Sequence, residues 1–166
     1  PMERIPDEAF AQAQVVFKRD ISFGGHGVHI PRSREALRQL IAHQSPQEPF
    51  LVEEFIAGED LSVDAVRWNG FYRCQSYRVL EHNGNGPSTQ REVCSAPEAE
   101  AALKAILDHL DYHGVCGADF RIGRDGHVYM LECNPRFTGG IASQVASGFD
   151  IPYLLWQLAS EGPSIG

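Results

Sequence analysis

Gly117-Ala118-Asp119-Phe120-Arg121-Ile122, then Gly123-Arg124-Asp125-Gly126, then His127-Val128-Tyr129-Met130-Leu131-Glu132-Cys133-Asn134-Pro135-Arg136 is the most informative segment of the chain. Asp-Gly between two alternating runs signals an antiparallel hairpin. If Asp125 and Gly126 form a two-residue turn, Asp119 lies directly across from Glu132, and Asn134 shares that face. If all of Gly123 to Gly126 form the loop, Glu132 is a diagonal neighbour of Asp119 on the same face. Opposed strand residues have Cβ atoms about 5 Å apart, where like charges repel. A divalent cation with oxygen ligands is the natural partner for such a pair. Ala118, Phe120 and Ile122 form the other, apolar face of the first strand. A solvated hairpin with scattered charges is the simpler alternative; Asn134 and Arg136 on the same segment weigh against it.

The 166 residues suffice for one domain with a real core. Hydrophobic content of 43% and charged content of 22% are ordinary for a soluble globular protein. A net charge of -8 argues against a nucleic-acid binder and leaves room for a local basic pocket. No apolar run approaches a membrane span and no signal peptide is visible, so no membrane partner is expected. Cys74, Cys94, Cys116 and Cys133 lack C-x-x-C spacing and read as reduced thiols of a cytoplasmic protein.

Outward from the hairpin, short strands dominate. Val15-Val16-Phe17 is a strand ending at Lys18, and Val28-His29-Ile30 is another. Ser33 caps a helix over about 34 to 43, with Ala36, Leu37, Leu40 and Ile41 on one face. Phe50 to Phe55 is a strand that Gly58-Glu59-Asp60 breaks; Leu61, Val63 and Ala65 alternate in the next. Asn69-Gly70 is a second hairpin turn, leading to a strand over about 71 to 80. A Gly/Asn/Pro loop covers His82 to Ser88, and Thr89 to Cys94 is a short strand. Pro97 opens a helix to about Asp111, with Ala99, Ala102, Leu103, Ile106, Leu107 and Leu110 facing the core. Phe137 to Gly148 is rich in small residues, and Pro152 opens a terminal helix. Hairpins outnumber possible βαβ units, which predicts an α+β fold with antiparallel sheets and helices packed on one face.

Two further segments carry weaker chemistry. Gly24-Gly25-His26-Gly27 follows Lys18 between two strands; glycine-rich backbone admits phosphate oxygens and lysine adds positive charge. It fits no standard nucleotide-loop spacing, and a plain hairpin loop is the alternative. Leu51-Val52-Glu53-Glu54-Phe55-Ile56, then Gly58-Glu59-Asp60, offers a strand end to a purine edge and acidic groups to a ribose, or else is a charged edge strand.

Taken in order, these elements resemble the ATP-grasp superfamily from Val15 to about Gly140. The matching parts are Val16-Phe17-Lys18 before the glycine loop, the hinge-like Val52 to Ser62, and Asp119 with Glu132-Cys133-Asn134-Pro135-Arg136. The ending Asn134-Pro135-Arg136-Phe137-Thr138-Gly139-Gly140 is similar to the carbamoyl-phosphate-synthetase-like and amino-acid ligase branches. The resemblance implies two subdomains with ATP between them: a small glycine-loop subdomain over about 1–52 and a larger metal-binding one over about 53–166. It implies that Lys18 contacts phosphates, and that Ser22, Gly24, Gly25, His26, Gly27 and Val28 lie in a loop over them. It gives Glu53, Glu54, Phe55 and Ile56 to the adenine pocket, and Asp60, or else Glu59, to the ribose. Asp119, Glu132 and Asn134 would hold Mg²⁺, with Mn²⁺ as an alternative. Arg136 would face the transferring phosphate or pair instead with Glu132 or Asp119. Arg78 and Arg91 are candidates for the acceptor substrate, with a salt bridge as the plain alternative.

The implied activity joins a carboxylate to an amine, or another nucleophile, through an acyl phosphate. A carbamoyl-phosphate-type phosphotransferase and a non-catalytic ATP-binding module are the other classes. The family's preceding domain and a further upstream phosphate-contacting lysine have no counterpart here, so a missing N-terminal portion or partner subunit is expected. Small carboxylate and amine substrates are the expected partners, and an oligomer is possible.

Overall fold

The computed structural model describes residues 5–6, 9–10, 15–21, 24–45, 47–84 and 88–162. Ser22 lies outside them, as do Pro1, Met2 and positions 85–87 of the expected Gly/Asn/Pro loop. Two compact units emerge: residues 1–56 with 83–87, and 57–82 with 88–166.

The first unit holds a three-stranded antiparallel sheet of β1 (Val15–Arg19), β2 (Val28–His29) and β3 (Phe50–Glu54), in the order β2-β1-β3. Helix α1 (Arg34–Ala42) starts where Ser33 Oγ accepts from the Ala36 N–H, satisfying an end donor. Phe10, Val15, Phe17 and Leu37 form the core, with Leu40, Ile41 and Val52 packed against it.

The second unit is built on a five-stranded antiparallel sheet. It comprises β4 (Gly58–Trp68), β5 (Phe71–His82), β6 (Ser88–Cys94), β7 (Gly114–Gly123) and β8 (Val128–Asn134), in the order β6-β5-β4-β7-β8. Helix α2 (Pro97–His109) covers one face; α3 (Ile141–Ala146) and α4 (Ile151–Glu161) follow β8.

Strand alternation separates the two faces. Leu61, Val63, Ala65, Cys116, Ala118 and Phe120 pack against Ala99, Leu103 and Leu107 of α2. The opposite face carries Asp60, Ser62 and Asp64 at one end of β4 and turns apolar at Val66. There Val66 and Val115 meet Phe149, Ile151, Leu154 and Leu158. Helices therefore lie on both faces, and α4 takes the apolar end of the polar face.

Several local expectations shift. Gly58-Glu59-Asp60 does not break a strand; it begins β4, because Asp60 opposes Arg121 and completes a cross-strand charge pair. Helix α2 stops at His109, so Leu110 is its C-cap and is exposed, as is Ala102. The buried stripe is thus narrower than periodicity suggests. The small-residue stretch after Phe137 contains α3. Among the described residues no helix is long and apolar enough to cross a membrane.

Candidate functional site

The β7–β8 hairpin turns in neither of the two ways considered. Gly123 N–H donates to His127 O at 2.8 Å, enclosing a three-residue loop, and Gly126 takes a φ of 82°. A turn of this length often ends in a left-handed glycine. Asp125 braces it, accepting from His127 N–H at 3.1 Å and from the Tyr129 hydroxyl at 2.6 Å. Near the turn Phe120 opposes Met130 and Arg121 opposes Tyr129. Continued regularly, that register would set Leu131 across from Asp119 and send Glu132 to the apolar face. The register shifts between Asp119 and Phe120, leaving Leu131 as the extra residue of a bulge. Beyond it Asp119 opposes Glu132 and Gly117 opposes Asn134.

Neither Asp119 nor Glu132 has a cationic partner among the described ion pairs. Burial pushes the Asp119 carboxyl up to about 7, helped by repulsion from and hydrogen bonding with Glu132, and by the charges of Asp64 and Asp60. Asn134 Nδ2 donates to Glu132 Oε1 at 2.7 Å, and Arg136 Nη2 donates to Asn134 Oδ1 at 3.1 Å. Arg136 Nη1 donates to Phe137 O at 3.0 Å. Arg136 thus pairs directly with neither carboxylate; the Asn134 amide bridges it to Glu132. Among the described residues no three His, Cys, Asp or Glu side chains could hold a metal ion. A cation here would rest on two carboxylates and an amide, leaving positions for water or phosphate oxygens. That donor set suits Mg²⁺, and two like charges without a counter-ion fit the need for one.

This carboxyl gives a pH prediction. Its folded-state pKa lies above the ordinary aspartate value near 3.9. The metal-free chain therefore binds this proton more tightly when folded. Its contribution to stability is complete below about pH 4 and is lost as pH rises through about 7. Thermal unfolding in a chelator should show this dependence, and Asp119→Asn should flatten it.

Asp60 is already engaged. Arg121 Nε donates to its Oδ1 at 2.7 Å, and His82 Nε2 lies 2.9 Å from its Oδ2. Glu59 lies 3.5 Å from Arg78 Nε. Arg78 also binds Glu92 at 2.8 Å and sits opposite Leu61, away from the carboxylate face. Arg91 does lie on the carboxylate face, but as a buried ion: its Nη1 donates to Asp64 Oδ2 at 2.9 Å, with side chains 6% and 2% exposed. Sequence reading missed Asp64, whose only signal was a charge alternating with Val63 and Ala65.

In the first unit, Lys18 Nζ meets Glu53 Oε2 at 2.5 Å across β1 and β3. Gly24, Gly25 and Gly27 all take positive φ, forming a turn that non-glycine residues resist. Val28 N–H donates to Gly25 O at 3.3 Å within it, and His26 is exposed. Glu54 ends β3, with Phe55 and Ile56 half-buried just beyond.

The family described as ATP-grasp in the biosynthetic pathway with Ter operon matches residues 46–164. A phosphoribosylamine–glycine ligase of Synechocystis is 29% identical over 160 residues, covering 81% of this chain and 38% of its own. The biotin carboxylase–β-γ-ATP complex of Campylobacter jejuni superposes with a TM-score of 0.73 at 18% identity, covering 92% of this chain and 38% of that one. The biotin carboxylase domain of Hydrogenobacter thermophilus 2-oxoglutarate carboxylase, in complex with MgADP, ADP and bicarbonate, gives 0.69 at 16% identity, with coverage of 90% and 38%. The chain thus spans under two-fifths of the length of each of these proteins.

Proposed function

The chain belongs to the ATP-grasp family, and from that premise we propose that it is the nucleotide- and metal-binding part of an ATP-dependent carboxylate–amine ligase. The observation that carries this reading is the opposition of Asp119 and Glu132 with no counter-ion among the described residues, two strand positions from Asn134 and close to Arg136.

Lys18 and the turn through Gly24, Gly25, His26, Gly27 and Val28 bind phosphates. Glu53, Glu54, Phe55 and Ile56 receive the adenine. Asp60, whose carboxylate has more acceptor sites than its two partners use, takes a ribose hydroxyl. Asp119, Glu132 and Asn134 hold the cation. When bound, Mg²⁺ supplies charge neutralisation to the phosphate chain. Arg136 offers a planar fork to the transferred phosphoryl group.

The reaction we assign starts with attack of a substrate carboxylate oxygen on the γ-phosphorus of ATP. The bond to the β-phosphate oxygen breaks, giving ADP and an acyl phosphate. The amine nitrogen then attacks the acyl carbon, the carbon–oxygen bond to phosphate breaks, and the amine loses a proton. No protein nucleophile takes part; the side chains position groups and balance charge, which is what phosphoryl transfer asks of a protein. The four free thiols accord with a cytoplasmic setting.

With ¹⁸O in the carboxylate substrate, the label should appear in the released phosphate of the full-length protein. A stable phosphorylated product would support a phosphotransferase instead, and absence of turnover with tight ATP binding would support a binding module. Lys18→Ala should weaken ATP by about tenfold or more, the scale of a lost charge-assisted hydrogen bond, while leaving adenosine nearly unchanged. Equal losses for both in a competition titration would place Lys18 away from the phosphates.

A further inference from the structure

We propose that Arg91 and Asp64 are positioning residues that hold Arg136 in place by fastening the backbone just beyond it to the sheet. The phosphate role of Arg136 rests on the function proposed above; the fastening itself does not.

The connections form a short chain of contacts within the second unit. Arg136 Nη1 donates to the carbonyl of Phe137. The next residue, Thr138, donates its hydroxyl to Asp64 Oδ1 at 3.0 Å. Arg91 occupies the other oxygen of Asp64, and its Nη2 donates to Gly140 O at 2.8 Å while its Nε donates to Ser143 Oγ at 2.6 Å. One guanidinium thus grips the sheet and the returning segment together. Its plane is supported by the Tyr77 ring, whose centroid lies 3.8 Å from Cζ.

Packing requires the same approach. A Cβ at Gly117 would stand 2.0 Å from Thr138 Cγ2, so only glycine lets the segment lie on β7. A Cβ at Gly140 would stand 2.2 Å from Arg91 Nη2. Arg91 and Asp64 touch none of the reacting atoms we assign. They act on Arg136 through Phe137 and Thr138. A surface ion pair would hold little; this pair is buried, and each partner has further hydrogen bonds to the segment.

The test compares Arg91→Lys, Arg136→Ala and the double variant in the full chain. Lysine keeps a charge for Asp64 but loses the fork that reaches Gly140 and Ser143. Hydrogen exchange of residues 136–143 should rise about tenfold, as expected when local opening becomes easier, while β7 and β8 stay protected. The preference for Mg-ATP over Mg-ADP should fall about tenfold, on the scale of a charged hydrogen bond, to the level of Arg136→Ala. The double variant should then be no worse than Arg136→Ala alone, since residues acting as a unit are not additive. Unchanged exchange in 136–143, or additive losses in the double variant, overturns the proposal. If Arg136→Ala leaves the preference intact while Arg91→Lys still raises the exchange, the fastening stands and the phosphate role of Arg136 is overturned. Thr138→Val with Ser143→Ala, which leaves the buried pair intact, repeats the exchange test should Arg91→Lys fail to fold.

Discussion

Replacing Asp119 by Asn together with Glu132 by Gln is expected to abolish Mg²⁺-dependent ATP binding and to raise the unfolding temperature of the metal-free chain. The two effects have one cause. In the native pair, burial and the neighbouring charge push the Asp119 carboxyl up to about 7, so folding without metal opposes ionisation. Neutral isosteres remove that penalty and keep the shape. A gain of about 1 kcal/mol corresponds to roughly 2–4 °C for a chain of this size. A site kept at the expense of apo stability is what a cation-binding role predicts. A melting temperature that falls, with nucleotide affinity unchanged, would mean that the carboxylates serve the fold instead. Calorimetry in chelator and a Mn²⁺ titration followed by electron paramagnetic resonance separate these results.

The second large effect concerns stability. Asp64→Ala should destabilise the chain by about 3–5 kcal/mol, because it leaves the buried Arg91 guanidinium without its counter-charge. Against a total of about 5–15 kcal/mol for a typical domain, urea unfolding would register this as a large shift in midpoint. Asp64→Leu with Arg91→Met should recover part of the loss, since replacing both partners removes the stranded charge. A cost below about 1 kcal/mol for Asp64→Ala, the range of surface pairs, would show that solvent reaches the pair.

These two sites also mark how far the sequence could be read. Antiparallel pairing of β7 with β8 was legible because Asp-Gly separates two alternating runs, and alternation put the α2-facing residues on one side. The turn length was not, because one extra loop residue and one bulge residue at Leu131 compensate each other. The opposition of Asp119 and Glu132 therefore results from a different turn than either considered. The Asp64–Arg91 pair left almost no trace. Its members lie 27 positions apart, on strands separated by β5. Their meeting also depends on how β6 pairs with a β5 that shifts register between Val79 and His82. Alternation assigns a face, not a distance along it. Leu110 illustrates a different limit: helical spacing placed it on the buried stripe, but the helix had already ended at His109.

The ATP-grasp fold of the chain was legible through the order of its motifs rather than through any one of them. The glycine turn after Lys18 and the strand end at Glu54 are weak alone. They gained meaning from the hairpin that follows them.

We propose that Asp119 and Glu132 hold the cation of Mg-ATP. Titrating the purified chain with a non-hydrolysable ATP analogue, with and without Mg²⁺, tests it most directly. Heat of binding that requires Mg²⁺ and disappears when Asp119 and Glu132 are neutralised is expected. Binding of equal strength in the absence of any divalent ion, or unaffected by those substitutions, would contradict it.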